Sequence, residues 1–193
     1  MNRDSSPSFR KSISVCIVVS SLEGLYINSG IGTAYATMAE LLAQQGQKVT
    51  ILYTNKEGPA QNDWSYWEEV YQAKGITLVR LPSSEIDLSI SDLAAQSYSV
   101  YEYLSTNSFE IVHFPEWEGI GYYTLVSKHQ GLGFAKTKFV VGLHGSTRWA
   151  FSAQNKIPVT QVELEADFME QRSIELADFV WSPSQAIGKY IYF

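Results

Sequence analysis

YINSGIGTAYATMAELLAQQGQKVTILYT, residues 26–54, sets two glycines around one isoleucine, follows them with a helical run and closes on a β-branched stretch. Within the run, Tyr35, Met38, Leu41 and Leu42 recur at the spacing of one helix face, and Gly46 supplies a stop, which predicts a helix over 33–45. KVTILYT after it reads as a strand. Before it, SISVCIVVS at 12–20 is nearly continuous in apolar residues, as a strand covered on both faces should be. The fold and the chemistry both turn on whether the glycines join these pieces as a phosphate-cradling turn.

A nicotinamide-binding turn puts its first glycine directly after the first strand. Here Gly30 comes only after an excursion through Glu23, Tyr26 and Asn28, and the third glycine of G-x-G-x-x-G would fall at Tyr35. The second strand ends LYT, with no acid placed for a ribose hydroxyl, and the missing GK[ST] argues against a P-loop still more. Two readings of Gly30, Ile31 and Gly32 remain. The glycines let the backbone approach a ligand at a helix N-terminus, whose free N–H groups favour oxygen-rich groups, or they merely let the chain turn.

Outward from this unit the alternation continues. Helices are expected in DWSYWEEVYQAKG (63–75), at 92–104, in IGYYTLVSKHQGL (120–132), at 160–177 and in SQAIGKYIYF (184–193). Strands are expected in ITLVRLP (76–82), FEIVHF stopped by Pro115, TKFVVGLHG (137–145) and FVWSPS (179–184). The class that follows is α/β, a Rossmann-like doubly wound, mainly parallel sheet with helices on both faces. In such a sheet ligands bind outside the carboxyl ends of the strands, so the loops after each strand carry the candidates.

Composition narrows the function classes. A formal net charge of -6 offers no basic field for nucleic acid or anionic lipid. The one cysteine, Cys16, lies in an apolar run and reads as a core residue. No apolar run reaches membrane-spanning length, and MNRDSSPSFRKS lacks a signal-peptide core; the expected location is the cytoplasm, with peripheral membrane attachment as its variant. No His/Cys cluster has metal-ligand spacing, and no G-x-S-x-G elbow is present.

Among the loops, PEWEG puts Glu116, Trp117 and Glu118 after a strand. Carboxylates accept hydrogen bonds from sugar hydroxyls and Trp stacks on a sugar's apolar face, although Trp117 as a packing residue fits equally. Carboxyls so close in sequence do not span a glycosidic bond as a hydrolase pair must, at ~5–9 Å. His144 follows VVGL and precedes Gly145, so its ring is expected at the crevice; His113 lies inside a strand and His129 on a helix. Arg148 either neutralises a phosphate or sits on the surface; Ser182 or Ser184 lines the cleft, while Ser184 equally fits as the N-cap of the helix that follows.

SGIGTAYATMAELLAQQGQKVTILYT also resembles the opening of glycosyltransferase family 4. The likeness extends through FEIVHFPEWEGIGYYTLVSKHQGL, KFVVGLHGSTRWA and DFMEQRSIELADFVWSPSQ to the final helix, nearly the whole chain from Ser12 onward. Ser29 stands where many members have a first glycine, and Gln47 replaces the usual histidine. The resemblance implies a GT-B architecture, with two Rossmann-like domains facing each other across a cleft. The C-terminal domain holds the nucleotide-sugar donor and the N-terminal one shapes the acceptor side.

The chain then corresponds to the N-terminal domain, 12–193 behind a disordered tail 1–11, without its donor-binding partner. E-x7-E, the spacing of the family's donor motif, occurs at Glu110/Glu118 and Glu102/Glu110, but neither pair opens a helix at a sheet edge. The implied activity is transfer of a hexose-type sugar, with retention, from a UDP- or GDP-sugar to an acceptor hydroxyl of a sugar, lipid or protein. No metal or tightly bound cofactor is implied. His144 is the implied catalytic residue beside the donor sugar, and Glu116, Trp117 and Glu118 lie by the acceptor. The Glu170-Gln171-Arg172 step reads as structural. Alone, this half is expected to be inactive; aromatics on the face left for a second domain favour self-association, so a homo-oligomer is among the partner expectations. The rival reading is a non-catalytic binding domain of the same fold.

Overall fold

The structure is a computed structural model that describes residues 11–22, 24–25, 29–55, 63–82 and 89–191. The expected tail, but for Lys11, lies outside the described residues. So do Glu23, Tyr26 and Asn28, residues 56–60 of the loop after the second strand, and the last two residues of the terminal helix.

The apolar runs become six strands of one parallel sheet: β1 (Ser14–Val19), β2 (Lys48–Tyr53), β3 (Ile76–Arg80), β4 (Ile111–Pro115), β5 (Lys138–Gly142) and β6 (Phe179–Trp181). Their order is β3-β2-β1-β4-β5-β6, and every pairing is parallel. Between them run α1 (Gly30–Gln44), α2 (Trp64–Ala73), α3 (Asp92–Thr106), α4 (Tyr122–His129), α5 (Thr147–Ser152) and α6 (Gln161–Leu176), and α7 (Gln185–Ile191) follows β6. The doubly wound Rossmann-like α/β class expected from the pattern is therefore the observed one.

Right-handed crossovers explain the two layers. Winding outward from β1 to β3 puts α1 and α2 on one face, where Tyr35, Ala36, Ala39 and Tyr71 join Val15, Ile17, Val19 and Ile51 in one core. Returning past β1 to β4 puts α3, α4 and α6 on the other, where Val100, Leu104 and Leu125 pack on Cys16, Val18, Phe114 and Phe139. Cys16 is fully buried there, and burial pushes its thiol far above the usual range. The order reverses between β1 and β4, the switch point at which such sheets open a crevice.

Local signals differ from expectation in three places. α1 begins at Gly30, three residues before the predicted Thr33, because Ser29 caps it with a hydroxyl that accepts from the Gly32 N–H. β4 ends at Pro115 as expected, but the proline is itself the last paired residue of the strand, opposite Gly142 of β5. β1 pairs only as far as His113, so proline's missing N–H has no ladder bond to lose at that end. No helix is expected between the fifth strand and 160, yet Thr147–Ser152 form the short α5 behind a Ser146 cap. α6 is close to its expected bounds and starts with a full capping box, in which Thr160 and Glu163 satisfy each other's main-chain N–H.

Phe139 is fully buried, with ring centroids 5.7 Å from Phe114 and 5.4 Å from Phe134. Phe139→Ala is expected to lower stability by about 3–5 kcal/mol. The readout is a fall in the urea midpoint with an unchanged slope.

Candidate functional site

A crevice of about 790 Å³ opens at the carboxyl edge of the sheet, over the reversal between β1 and β4. Segments following β1, β2, β4, β5 and β6, together with α3, contribute to its walls: Ser20 and Ser21, Asn55, Trp117 and Glu118, His144 and Gly145, Pro183, and Gln96. The first turn of α1 adds Ser29, Gly30 and Ile31.

The two glycines of the opening motif do different work. A Cβ on Gly32 would stand 3.0 Å from the Leu22 main chain, so this position lets the helix lie against the strand-exit loop. A Cβ on Gly30 would meet nothing within 4 Å, and Gly30 faces the open crevice. Both are helical, so neither forms a phosphate-cradling loop.

Glu116 is fully buried and does not line the crevice. Its Oε1 accepts from the main-chain N–H of His144 at 2.5 Å and of Gly145 at 2.6 Å. The carboxylate thus ties the exit of β4 to the exit of β5. Burial raises its pKa, and the two N–H donors oppose that rise.

Glu170, expected to be structural, is the second tie. Its Oε1 accepts from the Glu118 N–H at 3.0 Å and the Thr147 hydroxyl at 2.9 Å, while its Oε2 accepts from the Thr147 N–H at 2.7 Å. One carboxylate from α6 therefore satisfies the start of α5 and fixes the turn that follows β4. That turn is strained: Glu118 has φ 58° and Gly119 φ 60°. Gly119 is obligatory, because a Cβ there would come 2.3 Å from the Cβ of Met169 on α6. A sequence signal for Glu170 exists, since it shares the buried side of α6 with Ala166, Met169 and Ser173.

His144 lines the crevice with its ring between Tyr35, at 5.3 Å between centroids, and Trp181, at 5.5 Å. Burial lowers its pKa, so the imidazole is neutral at pH 7, and its Nε2 is buried with no partner among the described residues. Gly145 beside it has φ 114°. Trp117 lines the crevice and is 37% exposed, and Glu118 is half-buried next to it. Burial raises the Glu118 pKa, and the Trp117 side chain beside it works the other way.

The remaining candidates lie outside the lining. Arg148 is spent on Asp167, donating from Nε at 3.0 Å and from Nη2 at 2.5 Å as a fork. Ser182 donates its hydroxyl to the Ser184 carbonyl at 2.8 Å and accepts from the Ser184 N–H, so the pair folds onto itself with only Pro183 at the crevice. His113 is held inside the sheet, where burial lowers its pKa to about 4, and His129 is exposed at the end of α4. Among the described residues, no group of His, Cys, Asp and Glu could hold a metal ion, and no helix is long and apolar enough to cross a membrane.

Removing the Glu116 acceptor leaves two N–H groups without their partner, whereas an amide keeps a carbonyl in place. Glu116→Ala is expected to cost roughly 2–4 kcal/mol and Glu116→Gln less than about 1, measured by urea unfolding. Glu170 titrates at about 7 in the folded chain, raised from 4.5 by burial and then by Glu116. The folded chain keeps a proton that the unfolded chain releases. This contribution is complete below pH 4.5 and is lost as pH rises through about 7. Wild type should therefore lose stability relative to Glu170→Gln across that window; parallel stability profiles would count against it.

In comparisons with known proteins, no family model and no curated protein matches the chain.

Proposed function

We propose that the crevice is the acceptor half of a sugar-transfer site, in a retaining, nucleotide-sugar-dependent glycosyltransferase of family 4 type. The observation that supports this best is the meeting of α1's first turn, the Trp117–Glu118 turn and His144 along one crevice at the switch point. An open aromatic face, a carboxylate, hydroxyls and amides are the groups that hold a polyhydroxylated molecule.

In the reaction the acceptor oxygen bonds to the anomeric carbon of a UDP- or GDP-sugar while the bond from that carbon to the diphosphate oxygen breaks. The electron pair leaves with the diphosphate, and the acceptor's proton ends on the departing phosphate oxygen. Catalysis is then positioning and electrostatics, without a protein nucleophile. Neutral His144 hydrogen-bonds the transferred sugar near its anomeric centre. The N–H groups of α1's first turn face the departing diphosphate with the positive end of the helix dipole. Glu116 and Glu170 touch no substrate; they hold the loops that carry His144 and Glu118.

The test is an assay of the product of the complete reading frame with UDP- and GDP-sugars and a panel of hydroxyl acceptors, reading nucleoside diphosphate release. His144→Ala is expected to lower kcat about 100-fold with an unchanged unfolding midpoint. Because burial lowers the His144 pKa, activity should stay level across neutral pH and fall only below the ordinary histidine range. Full turnover in His144→Ala removes this residue from the site. Absence of release with every sugar nucleotide removes the transferase reading.

A further inference from the structure

The charge around the crevice is one-sided. Its described lining carries one ionisable carboxylate, Glu118, and no lysine or arginine. Two more carboxylates, Glu116 and Glu170, stand directly behind the Glu118 and His144 loops, bonded to main-chain N–H groups and to the Thr147 hydroxyl, not to cations.

The neighbouring cations are engaged elsewhere: Arg148 with Asp167, and Arg172 with Glu175. At the start of α5, where a helix N-terminus would attract an anion, the Glu170 carboxylate already occupies the Thr147 N–H.

An anion entering beside Trp117 and Glu118 would lose its water, meet no lysine or arginine in the described lining and face the Glu118 carboxylate. A neutral polyol meets none of these costs. Trp117, 37% exposed, offers a flat apolar face for a sugar ring, and the Glu118 carboxylate accepts from hydroxyls that a phosphate group could not supply.

We infer that the acceptor taken by this crevice is an uncharged polyhydroxylated compound, a sugar or glycoside, gripped by Trp117 and Glu118, and that phosphorylated sugars are turned away. The inference rests on the sugar-transfer reading above and narrows its acceptor to one chemical class. Glu118 is the specificity-determining residue: its strained main chain, held by Glu170, fixes where the carboxylate emerges, and that carboxylate sets the sign of charge accepted at the Trp117 end of the crevice.

The experiment titrates the full chain with methyl glucoside, methyl galactoside and methyl mannoside, and separately with the 6-phosphates of the same sugars. NMR shifts of the Trp117 indole and the Gly145 amide report occupancy of the crevice. At low ionic strength the neutral glycoside that binds best should bind about tenfold more tightly than its phosphate, and added salt should narrow the gap. Glu118→Gln should bring the two within about threefold, and Glu118→Lys should reverse the order. The 118 side chain makes none of the bonds that Glu170 accepts from this turn, so both variants keep that tie. Equal or tighter binding of the phosphates overturns the neutral-acceptor inference and leaves the transferase reading standing. An unchanged ratio in both variants overturns the role of Glu118. Absence of shifts at Trp117 and Gly145 with every sugar overturns the inference and the transfer reading together.

Discussion

Main-chain N–H groups that leave a parallel sheet at its carboxyl edge have no further strand to bond with, and in this protein two buried carboxylates supply the missing acceptors. Glu116 takes the N–H groups of His144 and Gly145, and Glu170 takes those of Glu118 and Thr147. An ionised carboxylate accepts several bonds at once, so each side chain closes two segments that are distant in sequence. The arrangement carries a cost. Burial raises the pKa of both acids, and the charge on Glu116 pushes that of Glu170 further.

The crevice inherits its shape from these ties. Because Glu170 belongs to α6, the helix braces the strained Glu118–Gly119 turn from behind, and Met169 leaves room there only for glycine. Because Glu116 holds the loop after β5, the His144 ring comes to stand between Tyr35 and Trp181. The resulting site has unlike ends. The dipole of α1 favours an anion at one, while the carboxylate and the indole at the other favour hydroxyls and an apolar ring face.

Much of this was legible from residue order, and the gaps have physical causes. Apolar runs such as SVCIVV and KFVVG announce strands because a parallel sheet buries both of their faces. Helix ends were readable where caps are local, as with Thr160 and Glu163. The short α5 was not, despite its local Ser146 cap, because six residues show little periodicity and the Thr147 N–H is taken by Glu170, 23 positions away. Pro115 is the strand stop its order suggested, and it still pairs with β5 because no neighbour on the β1 side needs its N–H. Of the three acidic and aromatic residues of PEWEG, Trp117 and Glu118 line the crevice and Glu116 turns inward. Alternation along a strand does not reach into the turn that follows it, so no sequence rule separates the two glutamates.

Local order thus determined the elements, their alternation and, through the fixed hand of βαβ crossovers, a doubly wound sheet whose loops gather along one edge. Which side chains meet at that edge was decided only by tertiary packing. Tyr35, Glu118, His144, Glu170 and Trp181 come from separate elements, and each is aimed by contacts with residues far away in the chain. Periodicity reports the environment of a position averaged over its own helix or strand. The direction of a single carboxylate at a loop depends on which distant N–H groups fold against it, and that information resides in the assembled structure.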